Sequence, residues 1–226
     1  MLDRILPLIL LSGVLGTTVH AATDNAWQLD ISEDGIKVYT REVEGSKYRE
    51  FKGVVDLDAG LPSAVGVLDN AAACVEWLHL CEESRVLDKR GWSERFIYQV
   101  SDLPFPASTR DAIFLARIRQ GADGHIHVTL DSRPDFIPQT RYVRIRESHG
   151  EYLLQPMPNG KTRLTWTMYI DPAGRLPAFM VNRLLTDIPL ESLRNFRDTV
   201  KQDKYRVLEF RYDDNGNPVG LLHKSW

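Results

Sequence analysis

Apolar side chains at Val181, Leu184, Leu185, Ile188, Leu193, Phe196 and Val200 recur mostly every three or four residues, the spacing that lines one face of a helix. Arg183, Asp187, Glu191, Arg194, Arg197 and Asp198 fall mostly on the opposite side. The pattern predicts one long amphipathic helix within Asp171 to Lys204. Asp171-Pro172-Ala173-Gly174 reads as the turn before it, and Pro177 suits its first turn, where a missing N–H costs nothing. Pro189 falls inside the pattern. It deletes a backbone donor and crowds the preceding turn, which predicts a kink or short break near Asp187–Ile188. Such a helix either caps a packed core or closes a cavity and moves.

Upstream the period changes to two. Gly35 to Val43 alternates apolar and polar residues, and Tyr48 to Val55 reads as its hairpin partner across Glu44-Gly45-Ser46. Leu61 to Leu68 reads as a short helix, followed by the helix-compatible, Ala-rich stretch Asn70–Trp77. Strand pairs then flank turn-like segments. Ser84–Leu87 and Glu94–Val100 enclose Lys89-Arg90-Gly91; Arg110–Gln120 and His125–Arg133 enclose Gly121-Ala122-Asp123-Gly124. Thr140–Arg146 and Glu151–Gln155 enclose Ser148-His149-Gly150, and Pro158-Asn159-Gly160 turns into Thr162–Ile170. In that last strand Leu164, Trp166, Met168 and Ile170 share one face, and Arg163, Thr165, Thr167 and Tyr169 the other. Short turns imply an antiparallel meander with one covered face. The predicted class is α+β: a curved antiparallel sheet wrapped around a long C-terminal helix, with a concave face that is either filled or hollow.

Composition adds little beyond domain count. A chain of 226 residues with 43% hydrophobic content and a net charge of -3 fits one domain and carries no nucleic-acid footprint. The N-terminus adds more. Arg4 precedes the apolar run Ile5–Gly16, too short to span a bilayer, and Val19-His20-Ala21 resembles a cleavage site. Residues 1–22 therefore read as a signal peptide, 23–204 as the domain and 205–226 as a C-terminal tail, with the mature protein periplasmic or secreted. The alternative is an uncleaved anchor. Export bears on Cys74 and Cys81, the only two cysteines. Seven residues along one continuous helix stand about 10 Å apart, so a disulfide requires the helix to end between them, near Leu78–His79. The alternative is two small buried thiols.

Several stretches resemble one family. Trp27 with Gly35-Ile36-Lys37-Val38-Tyr39 and Phe51-Lys52-Gly53, Pro104-Phe105-Pro106 with Arg110-Asp111, Val143-Arg144 with Gly150 and Leu153-Leu154-Gln155-Pro156, and Asp171–Pro177 with Asn182 are similar in order and spacing to START domains, lipid-transfer modules. The resemblance covers about residues 27 to 203. It implies a helix-grip fold with an internal hydrophobic cavity for one lipid, and no catalysis. Two departures stand out. Lys204–Trp226 runs past the family's usual helix end, and export differs from the mostly cytosolic animal members and suits a Gram-negative periplasm.

A tunnel of that kind needs an apolar lining and one or two polar groups to fix a head group. The lining candidates are Trp166, Met168 and Ile170 with Phe114, facing Met180, Leu184 and Ile188; plain core packing is the competing reading for each. Arg110 is the leading polar candidate. An inward guanidinium needs an acid or a ligand phosphate, and Asp111, on the opposite face of a regular strand, is not its natural partner. Tyr98 and Gln99 are weaker head-group candidates. His125 and His127 share a strand face but lack a third ligand, and Asp213–Asn217 lacks the closing acid of a calcium loop. No G-x-S-x-G elbow or phosphate-binding Gly loop is present. No metal or cofactor is therefore expected.

Three functions compete. The first is a monomeric carrier that binds and shuttles a single phospholipid, sterol or similar amphiphile, gated by the C-terminal helix, with transient membrane contact. The second is an enzyme on the same fold, a cyclase or hydrolase of a hydrophobic small molecule, which requires a convergent acid–base set in the cavity. The third is an adaptor for a protein partner, which a cavity below about 300 Å³ would favour.

Overall fold

The structure is a computed structural model and describes residues 26–224; the signal-peptide expectation lies outside the described residues. Three strands open the fold: β1 (Gln28–Glu33), β2 (Ile36–Glu42) and β3 (Arg49–Leu57). A short helical segment follows, with α1 (Leu61–Asp69), a 3-10 turn (Ala71–Ala73) and α2 (Cys74–Trp77). Then come β4 (Cys81–Arg90), β5 (Glu94–Ser101), β6 (Arg110–Gln120), β7 (Ile126–Ser132), the two-residue β8 (Val143–Arg144), β9 (Glu147–Met157) and β10 (Lys161–Asp171). The long helix α3 (Ala178–Thr199), the single turn α4 (Asp203–Arg206) and a hairpin of β11 (Leu208–Tyr212) and β12 (Pro218–His223) complete it.

One curved sheet runs in the order β1-β2-β3-β10-β9-β7-β6-β5-β4. All neighbours on this path are antiparallel, and β8 adds a short parallel pairing to the start of β6. Joining β3 to β10 brings the first hairpin beside the last strand, so the concave face is shared by residues from both ends of the chain. The helix α3 lies against that face. In its C-terminal half Leu193 and Phe196 are fully buried, as is Val200 just past its end. Gly53 makes the approach possible: a Cβ there would stand 2.6 Å from Leu193 Cδ1, and Gly53 pairs with Trp166 on β10.

Three sequence expectations change. The hairpin expected around Ser148-His149-Gly150 is absent, because β9 runs straight through those residues. Gly150 serves close approach rather than a turn: a Cβ would meet Met168 Sδ at 2.3 Å and the Thr167 carbonyl at 2.4 Å. Residues 133–142 instead form a loop over the sheet's outer face, where Ile137 and Tyr142 cover Phe96, Tyr98 and Leu115. The helix continues across Pro189 without a break, since Pro189, Leu190 and Leu193 are all buried and tertiary packing holds the segment together. Finally, the region expected as a tail forms a hairpin that packs Leu208, Phe210 and Leu221 on the main core, with Phe210 edge-on to Trp92 at 6.3 Å.

Candidate ligand cavity

Between the concave face and the N-terminal half of α3 lies a cavity of about 120 Å³. The sheet supplies its floor through the alternation of β10: Trp166, Met168 and Ile170 point inward, joined by Phe114 of β6 and Tyr152 of β9. The helix supplies its roof through Val181, Leu184, Leu185 and Ile188, one turn apart. A second hollow of about 60 Å³ continues toward α1 and shares Leu78, Gln99, Phe114, Leu130 and Tyr152 as a common wall.

Seven of the nine expected lining residues meet here: Arg110, Phe114, Trp166, Met168, Ile170, Leu184 and Ile188. Tyr98 does not. It pairs across the β5–β6 ladder with Ile113 and lies on the outer face under Tyr142, while its neighbour Gln99 is the one that points in. Met180 does not line the cavity either; it is half-buried, and the roof's first turn comes from Val181 with Leu176 below it. Sequence reasoning missed Tyr152, Ser101 and the Leu78–Leu80 segment. The register could have found Tyr152, which sits directly opposite Trp166.

The segment Leu78–Leu80 is a constrained wall. Helix α2 ends at Trp77, and Cys74 and Cys81 are disulfide-bonded with their Cα atoms 6.0 Å apart. Leu80 takes a φ of 67°, a conformation a bulky residue adopts only when its surroundings impose it. Its carbonyl accepts the Asp102 N–H at 2.9 Å, and the His79 N–H donates to Ser192 Oγ on α3 at 3.0 Å. The disulfide, β5 and the long helix therefore hold the wall from three sides.

The polar side chains lining the cavity are His79, Gln99, Ser101 and Arg110, and no carboxylate lines it among the described residues. Arg110 is 3% exposed. Its Nε donates to the Pro172 carbonyl at 3.3 Å, and its Nη1 donates to the Ser108 carbonyl and to Ser108 Oγ. These bonds tie the 102–109 connector and the entry to α3 onto the sheet. Burial pushes its guanidinium below the ordinary value, as expected for a cation taken out of water. Asp111 points to the opposite face, where Arg144 binds it in a fork at 2.8 and 2.9 Å and Thr140 donates at 2.6 Å. Burial alone would raise the Asp111 carboxyl; the bonds from Arg144 and Thr140 outweigh it and hold it below the usual range. Deeper in the cavity, Trp166 stacks on Tyr152 at 5.3 Å and meets Phe51 edge-on at 4.7 Å. Its buried Nε1 has no partner among the described residues. Burial pushes the Tyr152 hydroxyl far above its ordinary range.

No group of three or more His, Cys, Asp or Glu side chains among the described residues is arranged to hold a metal ion. His125 and His127 pair instead with Asp123 at 2.9 Å and Glu151 at 2.7 Å. The arrangement can hold an apolar body with a polar end.

Comparison with known proteins agrees with this geometry. The START domain model matches residues 18–206. An uncharacterized protein of Pseudomonas aeruginosa is 30% identical over 195 residues, covering 86% of this chain and 96% of its own length. Among solved structures, a STAR-related lipid transfer protein from Xanthomonas axonopodis superposes with a TM-score of 0.73 at 32% identity, over 78% of this chain and 99% of that one. Human StAR-related lipid transfer protein 5 shares the fold, with a TM-score of 0.70 at 18% identity over 80% and 89% of the two chains.

Proposed function

The chain belongs to the START domain family, and from that premise we propose that it binds one amphiphile between its sheet and α3 and carries it between membranes. The observation that carries this reading is the apolar hollow roofed by the N-terminal half of α3. At about 120 Å³ the hollow is smaller than a drug-sized ligand pocket, so loading requires the roof to move. The helix has an asymmetry suited to that. Beyond Pro189, Leu193 and Phe196 are fully buried and Ser192 is bonded to the wall; before it, Val181 and Leu185 are buried, but Leu184 and Ile188 are only partly so and Phe179 is 75% exposed. Pro189, lacking one helical hydrogen bond, is the natural hinge.

Two bare aromatics stand close along the chain to residues that line the hollow. Phe105, 95% exposed, stands in the connector after Leu103, and Phe179 stands on the first turn of α3 after Leu176; both leucines line the hollow. We assign this pair to transient membrane contact, in which exposed aromatics enter the interface as the roof opens. The protein acts as a monomer in the periplasm after its leader is removed. Catalysis is not part of this reading: among the described residues the cavity is lined by one histidine and no carboxylate with which to move protons.

Native mass spectrometry of the protein, purified and then exposed to bacterial lipid extract, should show a one-to-one lipid adduct. Spectra free of ligand across extracts would remove the carrier reading. The cavity's size favours a second reading, a protein-binding adaptor, because it falls below the usual range for ligand pockets. An adaptor predicts no adduct under any extract, so the same spectra separate the two.

A further inference from the structure

We infer that the ligand is an acidic amphiphile, whose carboxylate or phosphate sits against Arg110. This rests on the carrier reading and narrows it to one head-group chemistry. Arg110 is a cation at the cavity wall with almost no solvent contact. Its partners, two backbone carbonyls and one hydroxyl, are all neutral. Its Nη2 has no partner among the described residues, and the adjacent acid, Asp111, is consumed by Arg144 on the other face. Burying a charge without a counter-charge is strongly unfavourable, so an Arg at this position favours a ligand that brings one.

The surrounding groups have the same polarity. Ser101 stands directly opposite Arg110 in the β5–β6 ladder, and Gln99 points in two residues before it. Gln99 Nε2 donates to Ser101 Oγ at 3.2 Å, which leaves the serine hydroxyl hydrogen to donate elsewhere. Trp166 Nε1, deeper in, is likewise a buried donor without an acceptor. Arg110 and Trp166 thus both turn unspent donors on this cavity, and among the described residues no carboxylate lines it to receive a cationic head group. An oxyanion with several lone pairs satisfies such a set; an alcohol does so only in part, and a cation not at all.

The test uses delipidated full-length protein and two matched probe pairs: sodium oleate against oleyl alcohol, and dioleoyl phosphatidate against dioleoylglycerol. Within each pair the apolar body is the same and only the acid differs. We expect at least tenfold tighter binding of the acid in one pair, and the pair that shows it identifies the oxyacid as carboxylate or phosphate. Acid and neutral probes binding alike in both pairs would overturn the inference and leave the carrier reading standing. Failure of all four probes to bind would overturn the inference, and the carrier reading would fall with it only where the lipid-extract spectra also show no adduct. Because these measurements use the unaltered chain, they do not depend on a variant folding. Arg110→Gln should then weaken the acid at least tenfold and leave the neutral probe unchanged, with Arg110→Lys intermediate. An undiminished acid preference in a folded Arg110→Gln would also overturn it.

Discussion

Two arginines lie within a few residues of each other across the β6–β8 pairing, and both are nearly sealed from water. Arg110 faces the hollow at 3% exposure and Arg144 the outer side at 4%. Their neighbourhoods differ completely. Arg144 grips a fully buried aspartate with two bonds, and its remaining N–H groups donate to the carbonyls of Pro134, Ile137 and Pro138. Arg110 has neutral partners and spare donors. A closed network of this kind fixes a loop to a sheet. An open one stores capacity for something that arrives later. Burial of a charged group is therefore a poor guide to its role, and the completeness of its partners is the better one.

The contrast predicts unequal consequences, beginning on the outer face. Asp111→Ala strands the Arg144 guanidinium and should cost about 3–5 kcal/mol in urea unfolding followed by circular dichroism; a loss below about 1 kcal/mol would break the distinction. The same pair sets an acid limit. Asp111 titrates below its unfolded value of about 3.9, so its contribution is complete above that pH and is lost as pH falls through the lower folded value. The stability gap between the unaltered chain and Asp111→Ala should accordingly shrink as the pH falls below about 4. On the inner face, Arg110→Gln should cost only about 1 kcal/mol, because it removes bonds to neutral acceptors and also relieves an unpaired charge. A loss as large as that of Asp111→Ala would make Arg110 a structural residue. Smallest of all, Tyr98→Phe, on the outer face, should lower stability by less than about 1 kcal/mol and leave oleate affinity unchanged. An altered affinity would return Tyr98 to the cavity.

The sequence was most readable where one face meets water. The apolar stripe of α3 and the strict alternation of β10 each have a solvated side, so their periods survive and their inward residues could be named. Periodicity fails along β5 and β6, because the 133–142 loop buries the outer face too. Arg110 to Leu115 is buried throughout, and on the neighbouring β5 the buried Tyr98 gives no sign that Gln99 is the inward residue. Turn chemistry misled at Ser148-His149-Gly150, where glycine answers to Met168 rather than to a bend. The placement of β3 beside β10 joins segments more than a hundred residues apart, which no local pattern encodes. The motif resemblance supplied the helix-grip fold that periodicity alone left between a filled and a hollow interior.

The covalent ring from Cys74 to Cys81 has a practical corollary. Three consecutive residues of the wall, Leu78, His79 and Leu80, are enclosed by that bond. Thiols made in a reducing cytoplasm stay open, whereas an oxidising compartment closes them. Recombinant batches from the two hosts are thus chemically distinct reagents, one with its lining stapled and one without. Affinities measured on them belong in separate columns until the oxidation state of each has been titrated.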